Sequence, residues 1–239
     1  MRRAAIEKEW KKTSMIPTHF PKLFAEAIGT AVLVLSGCGA IVINTMSNGS
    51  ITHFGIALAF GLSIGVMIMA VGHISGAHFN PAVTLALASR KYFPSKLVVP
   101  YLVAQCIGGI SAAIMLRILF GITFGLGVTQ PLSEPFQSFL LEIILTAILV
   151  FVIAAVALHP NSTRAHTPFA VGGTVALEAL FAGPISGASM NPARSLAPAL
   201  IAGQLDYLWI YLLAPIIGGL IGIRVYQMIN HSSAEVIPS

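Results

Sequence analysis

Two ten-residue stretches, SGAHFNPAVT at Ser75–Thr84 and SGASMNPARS at Ser186–Ser195, decide the fold of this chain. They lie 111 positions apart, and each carries an Asn-Pro-Ala triplet between long apolar runs. A close match at a fixed separation is the mark of an internal repeat. The chain is therefore expected to contain two copies of one structural unit.

The repeat extends well beyond these two stretches. Two further patterns recur at nearly the same separation, Glu26–Val34 with Glu142–Val150 and Tyr101–Gly109 with Tyr211–Gly219. Because the matches span most of the chain, we predict a single domain over residues 1–239. Its first repeat covers 1–120 and its second covers 121–239.

The composition is that of an integral membrane protein. Apolar residues make up 56% of the chain, charged residues only 9%, and the mean hydropathy is +0.87. A soluble domain usually carries roughly a quarter of its residues as charges, and apolar runs of about 20 residues can cross a bilayer as helices. We predict six spanning helices, near Leu23–Ile43, Phe54–Val71, Leu97–Leu119, Phe136–Leu158, Thr167–Ala182 and Leu208–Ile229.

Two shorter apolar stretches begin at Asn80 and Asn191 and are too short to span. Each repeat thus has three crossings, an odd number, so the second repeat is inserted upside down relative to the first. The predicted fold class is an all-α membrane protein, with six transmembrane helices and two re-entrant half-helices in two inverted repeats.

The distribution of basic residues predicts the orientation in a cell membrane. The N-terminus carries Arg2, Arg3, Lys8, Lys11, Lys12 and Lys22. We interpret this cluster as a positive-inside signal rather than a nucleic-acid site. Further basic residues fall in the predicted 2–3 and 4–5 loops, whereas residues 121–135 contain no Lys or Arg. Both termini are therefore expected on the cytoplasmic side.

Each short segment has the local signals of a helix start within the membrane. Asn is a preferred N-cap, and Pro fits the first helical position. The residues before them, 73–78 and 183–188, are expected to be non-helical backbone lining a cavity. Inversion brings Asn80 and Asn191 together near the midplane, with their amide NH₂ groups free to bind a passing oxygen. Positive helix ends there would repel cations.

These residues resemble the two signature loops of the aquaporin, or major intrinsic protein, family. The motifs are Asn80-Pro81-Ala82 and Asn191-Pro192-Ala193, and the resemblance covers essentially the whole chain. The string GPISGASM before the second motif is most similar to plant nodulin-like intrinsic proteins and their bacterial relatives. The resemblance implies passive flow, no cofactor, and a homotetramer with one pore per protomer.

The resemblance also implies a second constriction toward the outside, formed by Phe60, Ala179, Ala188 and Arg194. Two alanines here predict a filter that is wider and less polar than that of a strict water channel. Ser195, Ala199 and Tyr211 resemble the residues of water-selective members, whereas Leu212 does not. Water is therefore the first expected solute, with glycerol, urea, ammonia and uncharged metalloid hydroxides left open.

Other polar groups are expected to support the loops rather than to react. Resemblance implies that Glu26 and Glu142 accept hydrogen bonds from the re-entrant loops, and His73 is expected to pack against the first loop. Cys38 and Cys106 fit neither a disulfide framework nor a metal site. We expect no catalytic residues, no metal and no enzymatic activity.

Two other functions fit an inverted-repeat membrane protein. A secondary transporter of a small polar solute also uses broken helices at the midplane, but it usually places a coupling charge at the break. A non-conducting junction protein of the same fold would show no solute flux. Measured flux distinguishes all three.

Overall fold

The computed structural model describes residues 19–159 and 164–233, which are helical with connecting loops and contain no strand. The long helices are α1 (Phe20–Met46), α2 (Thr52–Ser75), α4 (Val98–Phe120), α5 (Pro135–Ala157), α6 (Thr167–Ser186) and α8 (Leu208–Ser233). The short helices are α3 (Pro81–Ser89) and α7 (Pro192–Ala202), and single 3₁₀ turns lie at Ser95–Leu97 and Arg164–His166.

The six long helices are apolar and long enough to cross a membrane. Their order, two long helices, one short and one long, occurs twice along the chain. The predicted fold class is confirmed. Of the N-terminal basic cluster, only Lys22 falls within the described residues; Arg2, Arg3, Lys8, Lys11 and Lys12 lie outside them.

Small residues let the long helices approach closely. A Cβ atom added to Gly108 of α4 would lie 2.0 Å from the carbonyl oxygen of Ala27 on α1. At the repeat-related position, a Cβ on Gly218 of α8 would lie 2.3 Å from the Ile143 carbonyl oxygen on α5. Neither position accepts a side chain, and α1–α4 and α5–α8 are among the most extensive helix pairs. In a bilayer such small-residue contacts allow the backbone packing that drives helix association.

Large apolar side chains remain on the outer surface of the helices. Ile118 is 77% exposed, Phe169 71% and Phe136 67%. Exposure of so many apolar side chains to water would be unfavourable, whereas contact with lipid tails or with another copy of the chain would not be. This surface agrees with a multi-pass membrane protein.

The non-helical loops are shorter than the sequence led us to expect. Residues 73–75 still belong to α2 and residues 183–186 to α6, so only 76–79 and 187–190 are irregular. Gly76 (φ 91°) and Gly187 (φ 86°) end the two helices in the left-handed conformation. The expectation of breaks beginning at His73 and Gly183 is therefore wrong, because the left-handed caps form at Gly76 and Gly187 and not at the earlier Gly72 and Gly183.

Candidate functional site

The two short helices begin at asparagines whose side chains cap them. Asn80 Oδ1 accepts a hydrogen bond from the Ala82 amide at 2.8 Å. Asn191 Oδ1 accepts from the Ala193 and Arg194 amides at 3.0 and 3.3 Å. Side-chain oxygens thus satisfy amides that have no partner inside the helix.

The two capping asparagines also link the repeats. Asn80 Nδ2 donates to the Met190 carbonyl oxygen at 2.7 Å, and Asn191 Nδ2 donates to the Phe79 carbonyl oxygen at 2.8 Å. The N-termini of α3 and α7 therefore meet in a reciprocal arrangement. Our expectation that both amide hydrogens are free needs correction, because one hydrogen of each NH₂ group holds the opposite loop. The second is not used in these bonds.

A buried carboxylate lies behind each loop. Glu26 accepts from the amides of His78 (3.0 Å) and Phe79 (2.7 Å), and Glu142 accepts from those of Ser189 (2.8 Å) and Met190 (2.8 Å). Both carboxylates have no exposed surface. Each loop thus directs two N–H groups to a carboxylate, so that the carbonyl groups are left for the other side.

The backbone of both loops is held in an uncommon conformation. Ala77 and Phe79 have φ angles of 53° and 48°, and Ala188 and Met190 have 41° and 54°. Left-handed backbone costs energy for residues other than glycine, and it persists only where the surroundings fix it. The carboxylates are one such constraint, and two tyrosines provide another.

Tyr101 and Tyr211 donate from their hydroxyl groups to the carbonyl oxygens of Ser75 (2.8 Å) and Ser186 (2.7 Å). Both tyrosine side chains are completely buried. The sequence analysis predicts no structural role for the two tyrosines and matches Tyr211 to water-selective members. Their recurrence in the repeat is nevertheless a signal for a shared role, at the ends of α2 and α6.

Of the two histidines near the first loop, His78 is bonded to the loop's surroundings. Its Nδ1 lies 3.0 Å from Thr84 Oγ1, and its ring packs edge-on against Phe93. His73 is exposed and lines the cavity described below. The loop-packing role expected for His73 stays a prediction, because no described hydrogen bond joins His73 to the loop.

A cavity of about 780 Å³ passes both asparagines. Its wall includes the backbone segments 76–78 and 188–191 and apolar side chains of α1, α2, α5 and α6. Phe60, Ala188 and Arg194 line the same cavity. Ala179 does not line it, but is packed in one apolar cluster with Phe60 and Ala188. No Asp or Glu belongs to the described lining.

Arg194 is the cationic side chain of this wall. It is 2% exposed, its Nη1 donates to the Gly127 carbonyl oxygen at 2.7 Å, and its Cζ lies 4.7 Å from the centre of the Phe60 ring. A guanidinium has five N–H donors, and the bond to the Gly127 carbonyl oxygen uses one of them. Arg194 can therefore both repel cations and donate to an oxygen in the cavity.

The loop between α4 and α5, which bonds to Arg194 through Gly127, is also attached to residues near the second motif. Besides the Gly127 carbonyl, its Thr129 hydroxyl donates to Ser195 Oγ at 2.7 Å. The Leu132 amide donates to the Ile185 carbonyl oxygen at 2.8 Å. No local sequence signal indicates these contacts, because they join segments far apart in the chain.

Comparisons with known proteins agree with this arrangement. The family model for the major intrinsic protein matches residues 12–226. The chain is 46% identical to "Aquaporin NIP1-1" of Oryza sativa subsp. japonica over 213 residues, which cover 89% of this chain and 75% of the relative. It is 44% identical to "Nodulin-26" of Glycine max over 224 residues, which cover 93% of this chain and 83% of the relative.

The fold also matches a solved structure, that of the aquaglyceroporin from Plasmodium falciparum. The TM-score is 0.82 with 24% sequence identity, over 92% of this chain and all of the other. This similarity concerns the fold. Together with the sequence matches and the paired capping asparagines, it establishes that the chain belongs to the major intrinsic protein family.

Proposed function

We propose that this protein is a passive channel for water and small neutral solutes that excludes ions and protons. The observation that carries the proposal is the cavity, which passes Asn80 and Asn191 and reaches Arg194 without a lining carboxylate. Its polar groups can replace the hydrogen bonds of a neutral solute. Among the described lining residues no carboxylate offsets the charge of a cation, and Arg194 opposes it.

Selectivity against cations follows from the charges at two depths. The N-termini of α3 and α7 meet at the asparagines, and each helix end carries roughly half a positive charge. Arg194 adds a full charge that is fixed by the Gly127 carbonyl and the Phe60 ring. A cation would meet repulsion at both places, whereas a water or hydroxyl oxygen would meet donors.

The predicted outer filter favours solutes larger than water. Phe60, Ala188 and Arg194 line the cavity at the proposed filter, and Ala179 belongs to the apolar cluster beside it. A methyl group fills little space and offers no hydrogen bond. We therefore propose glycerol as a second solute. The Plasmodium falciparum protein that shares this fold is an aquaglyceroporin, in line with the proposed solute class.

A secondary transporter is the first alternative. Its coupling charge would have to reach the solute, but Glu26 and Glu142 have no exposed surface and accept backbone hydrogen bonds from the loops. A non-conducting junction protein is the second alternative, and it predicts no flux at all. We propose no enzymatic activity, since the described hydrogen bonds of the lining hydroxyls of Thr167 and Ser189 go to carbonyl or serine oxygens and not to a histidine.

The proposed setting is a cell membrane with both termini on the cytoplasmic side. In the described part of the chain, Lys22, Arg90, Lys91, Lys96 and Arg164 lie at or beside the helix ends assigned to that side. We further propose a homotetramer with one pore per protomer, which would cover part of the exposed apolar surface. No cofactor, metal or nucleic acid enters this proposal.

Stopped-flow light scattering on proteoliposomes tests the solute range. Vesicles are first shrunk with an impermeant osmolyte, and their re-swelling in glycerol is then followed. We expect fast shrinkage and accelerated re-swelling. The double variant Ala179→His with Ala188→Phe should suppress the re-swelling in glycerol and keep the fast shrinkage. Fast shrinkage with re-swelling no faster than in empty vesicles would exclude glycerol. Saturable flux coupled to an ion gradient would favour the transporter.

A further inference from the structure

Pro184 creates an unpaired carbonyl beside the proposed filter. It lies inside α6, which continues to Ser186. Proline has no N–H, so the carbonyl four residues earlier, that of Leu180, loses its intrahelical donor. Leu180 directly follows Ala179, one of the four predicted filter positions. The helix turn that carries Ala179 is therefore missing one of its own hydrogen bonds.

A histidine on the neighbouring helix supplies the missing donor. His53 Nε2, in the first turn of α2, lies 2.7 Å from the Leu180 carbonyl oxygen. A carbonyl only accepts, so the ring nitrogen must be the donor. The ring fits because residue 183 is glycine, at which an added Cβ would lie 2.9 Å from His53 Cε1.

This hydrogen bond is the outer member of a pair of contacts between α2 and α6. At the inner contact, an added Cβ on Gly61 would lie 2.4 Å from the Gly172 carbonyl oxygen, so the two backbones touch. His53 and Leu180 each lie eight residues outward from these glycines, or about 12 Å along each helix. The glycines thus fix the inner separation of the helices, and His53 fixes the outer one.

Phe60 and Ala179 lie between the two contacts on α2 and α6. We propose that His53 is a positioning residue for selectivity, which sets the width of the outer filter by supplying the hydrogen bond that Pro184 removes from Leu180. This proposal rests on the proposed channel function. Without the bond, the Leu180 carbonyl turns toward water at the outer surface, α6 moves away from α2, and the filter widens.

Two substitutions at one position separate the hydrogen bond from the bulk of the ring. His53→Phe keeps a ring of similar size and removes the donor, whereas His53→Gln keeps an N–H donor at a similar reach. The measurement is the ratio of glycerol to water permeability in proteoliposomes. We expect His53→Phe to raise this ratio about fivefold, the size that one net hydrogen bond gives. His53→Gln should stay close to wild type.

Pro184→Ala provides an independent test, because alanine restores the intrahelical donor to Leu180. In that background His53→Phe should no longer change the ratio. A ratio unaffected by His53→Phe in the wild-type background would overturn the inference. So would an equal change in His53→Gln, or a change that persists beside Pro184→Ala.

If Pro184→Ala yields no functional channel, the comparison of His53→Phe with His53→Gln tests the inference by itself. Failure of the channel function is a different result. In that case wild-type vesicles shrink no faster than empty ones, whereas failure of this inference leaves water flux fast and the ratio insensitive to His53.

Discussion

The two re-entrant loops, 76–79 and 187–190, are held by the same set of contacts, which we call the frame, but they differ in the side chains around it. In each, a glycine ends the preceding long helix, α2 or α6. A tyrosine hydroxyl donates to the carbonyl oxygen of the serine before that glycine, and a buried carboxylate accepts hydrogen bonds from two loop amides. The shared frame explains why the sequence repeats around the motifs. It positions the backbone and the capping asparagines, and it does so equally in both halves.

The differences concern what surrounds that frame. Behind the first loop, Gln105 donates to Glu26 at 2.8 Å and His78 packs with Phe93. Behind the second, the hydroxyl groups of Ser189, Ser195 and Thr129 form a connected cluster. Three residues after the capping asparagine, the first loop has Val83 and the second has Arg194. Both side chains line the cavity, so a permanent charge lies at one end of it only.

The repeated residues hold the loops in both halves. The proposed filter, by contrast, depends on residues that are not repeated, above all on Arg194. Substitutions in the frame should therefore affect folding in both halves alike. Substitutions in the unrepeated set should affect selectivity, or only the half in which they lie.

The largest expected effect is the loss of a loop carboxylate. Glu142→Leu leaves the amides of Ser189 and Met190 and the Ser186 hydroxyl without their acceptor, at about 1–3 kcal/mol for each buried group. Glu26→Leu removes the same number of bonds in the first half. We expect both to lower the Tm in detergent strongly and to abolish water flux. If one variant kept a wild-type Tm, the frame would not be equivalent in the two halves.

The next effect concerns the charge that only the second half carries. Arg194→Val gives this position the residue of its repeat partner, Val83, and removes a charged donor together with its bulk. We expect the glycerol-to-water permeability ratio to rise several-fold, because the smaller valine leaves more room at the proposed filter for the larger solute, whereas water already fits. Arg117→Val is the control, because Arg117 is exposed and bonded to the Ile201 carbonyl outside the cavity. Equal ratios in the two variants would contradict the assignment of the filter to Arg194.

A smaller effect is expected where the loop between α4 and α5 is attached to the second half. Thr129→Val removes the donor to Ser195 and should lower the free energy of unfolding by about 1 kcal/mol. Thr174→Val is the matched control, because the Thr174 hydroxyl bonds only to the Ala170 carbonyl of its own helix. Thermal unfolding in detergent measures both. If Thr129→Val lowered the free energy of unfolding less than Thr174→Val, the hydrogen bond from Thr129 to Ser195 would not stabilise the attachment of this loop.

The smallest effect has the opposite sign. Glu178 on α6 has no repeat counterpart, is 1% exposed, and neither carboxyl oxygen has a hydrogen-bond partner among the described groups. Burying such a group costs free energy, so Glu178→Leu should raise the Tm slightly, whereas Glu178→Gln should not. A fall as large as that of Glu142→Leu would mean that Glu178 supports the fold in the same way.

Several features of this molecule could be predicted because their signals are local. Asn-Pro marks a helix start, and an apolar run of sufficient length marks a span. The N-caps at Asn80 and Asn191 and the six long helices followed from these rules. The bonds from each asparagine to the opposite loop did not, because they depend on how closely the inverted halves approach.

Contacts between residues far apart in the chain produce no recognisable pattern in the sequence. Gly127 holds Arg194 through its carbonyl group, which every residue has, and His53 meets Leu180 across 127 positions of sequence. The exact ends of α2 and α6 were also missed, because the left-handed caps at Gly76 and Gly187 decide them. Pro184 was part of the expected break, yet the helix passes through it.

The central claim is that water passes between Arg194 and the capping asparagines, and osmotic shrinkage of proteoliposomes tests it most directly. Ala188 lines this part of the cavity, so Ala188→Trp should fill it and reduce shrinkage to the rate of empty vesicles. Leu177→Trp adds a similar bulk on α6 at a residue that is 61% exposed on the outer surface, and should leave the rate unchanged. Wild-type shrinkage should be fast. Fast shrinkage of the Ala188→Trp channel would contradict the account, because water would then cross by another path.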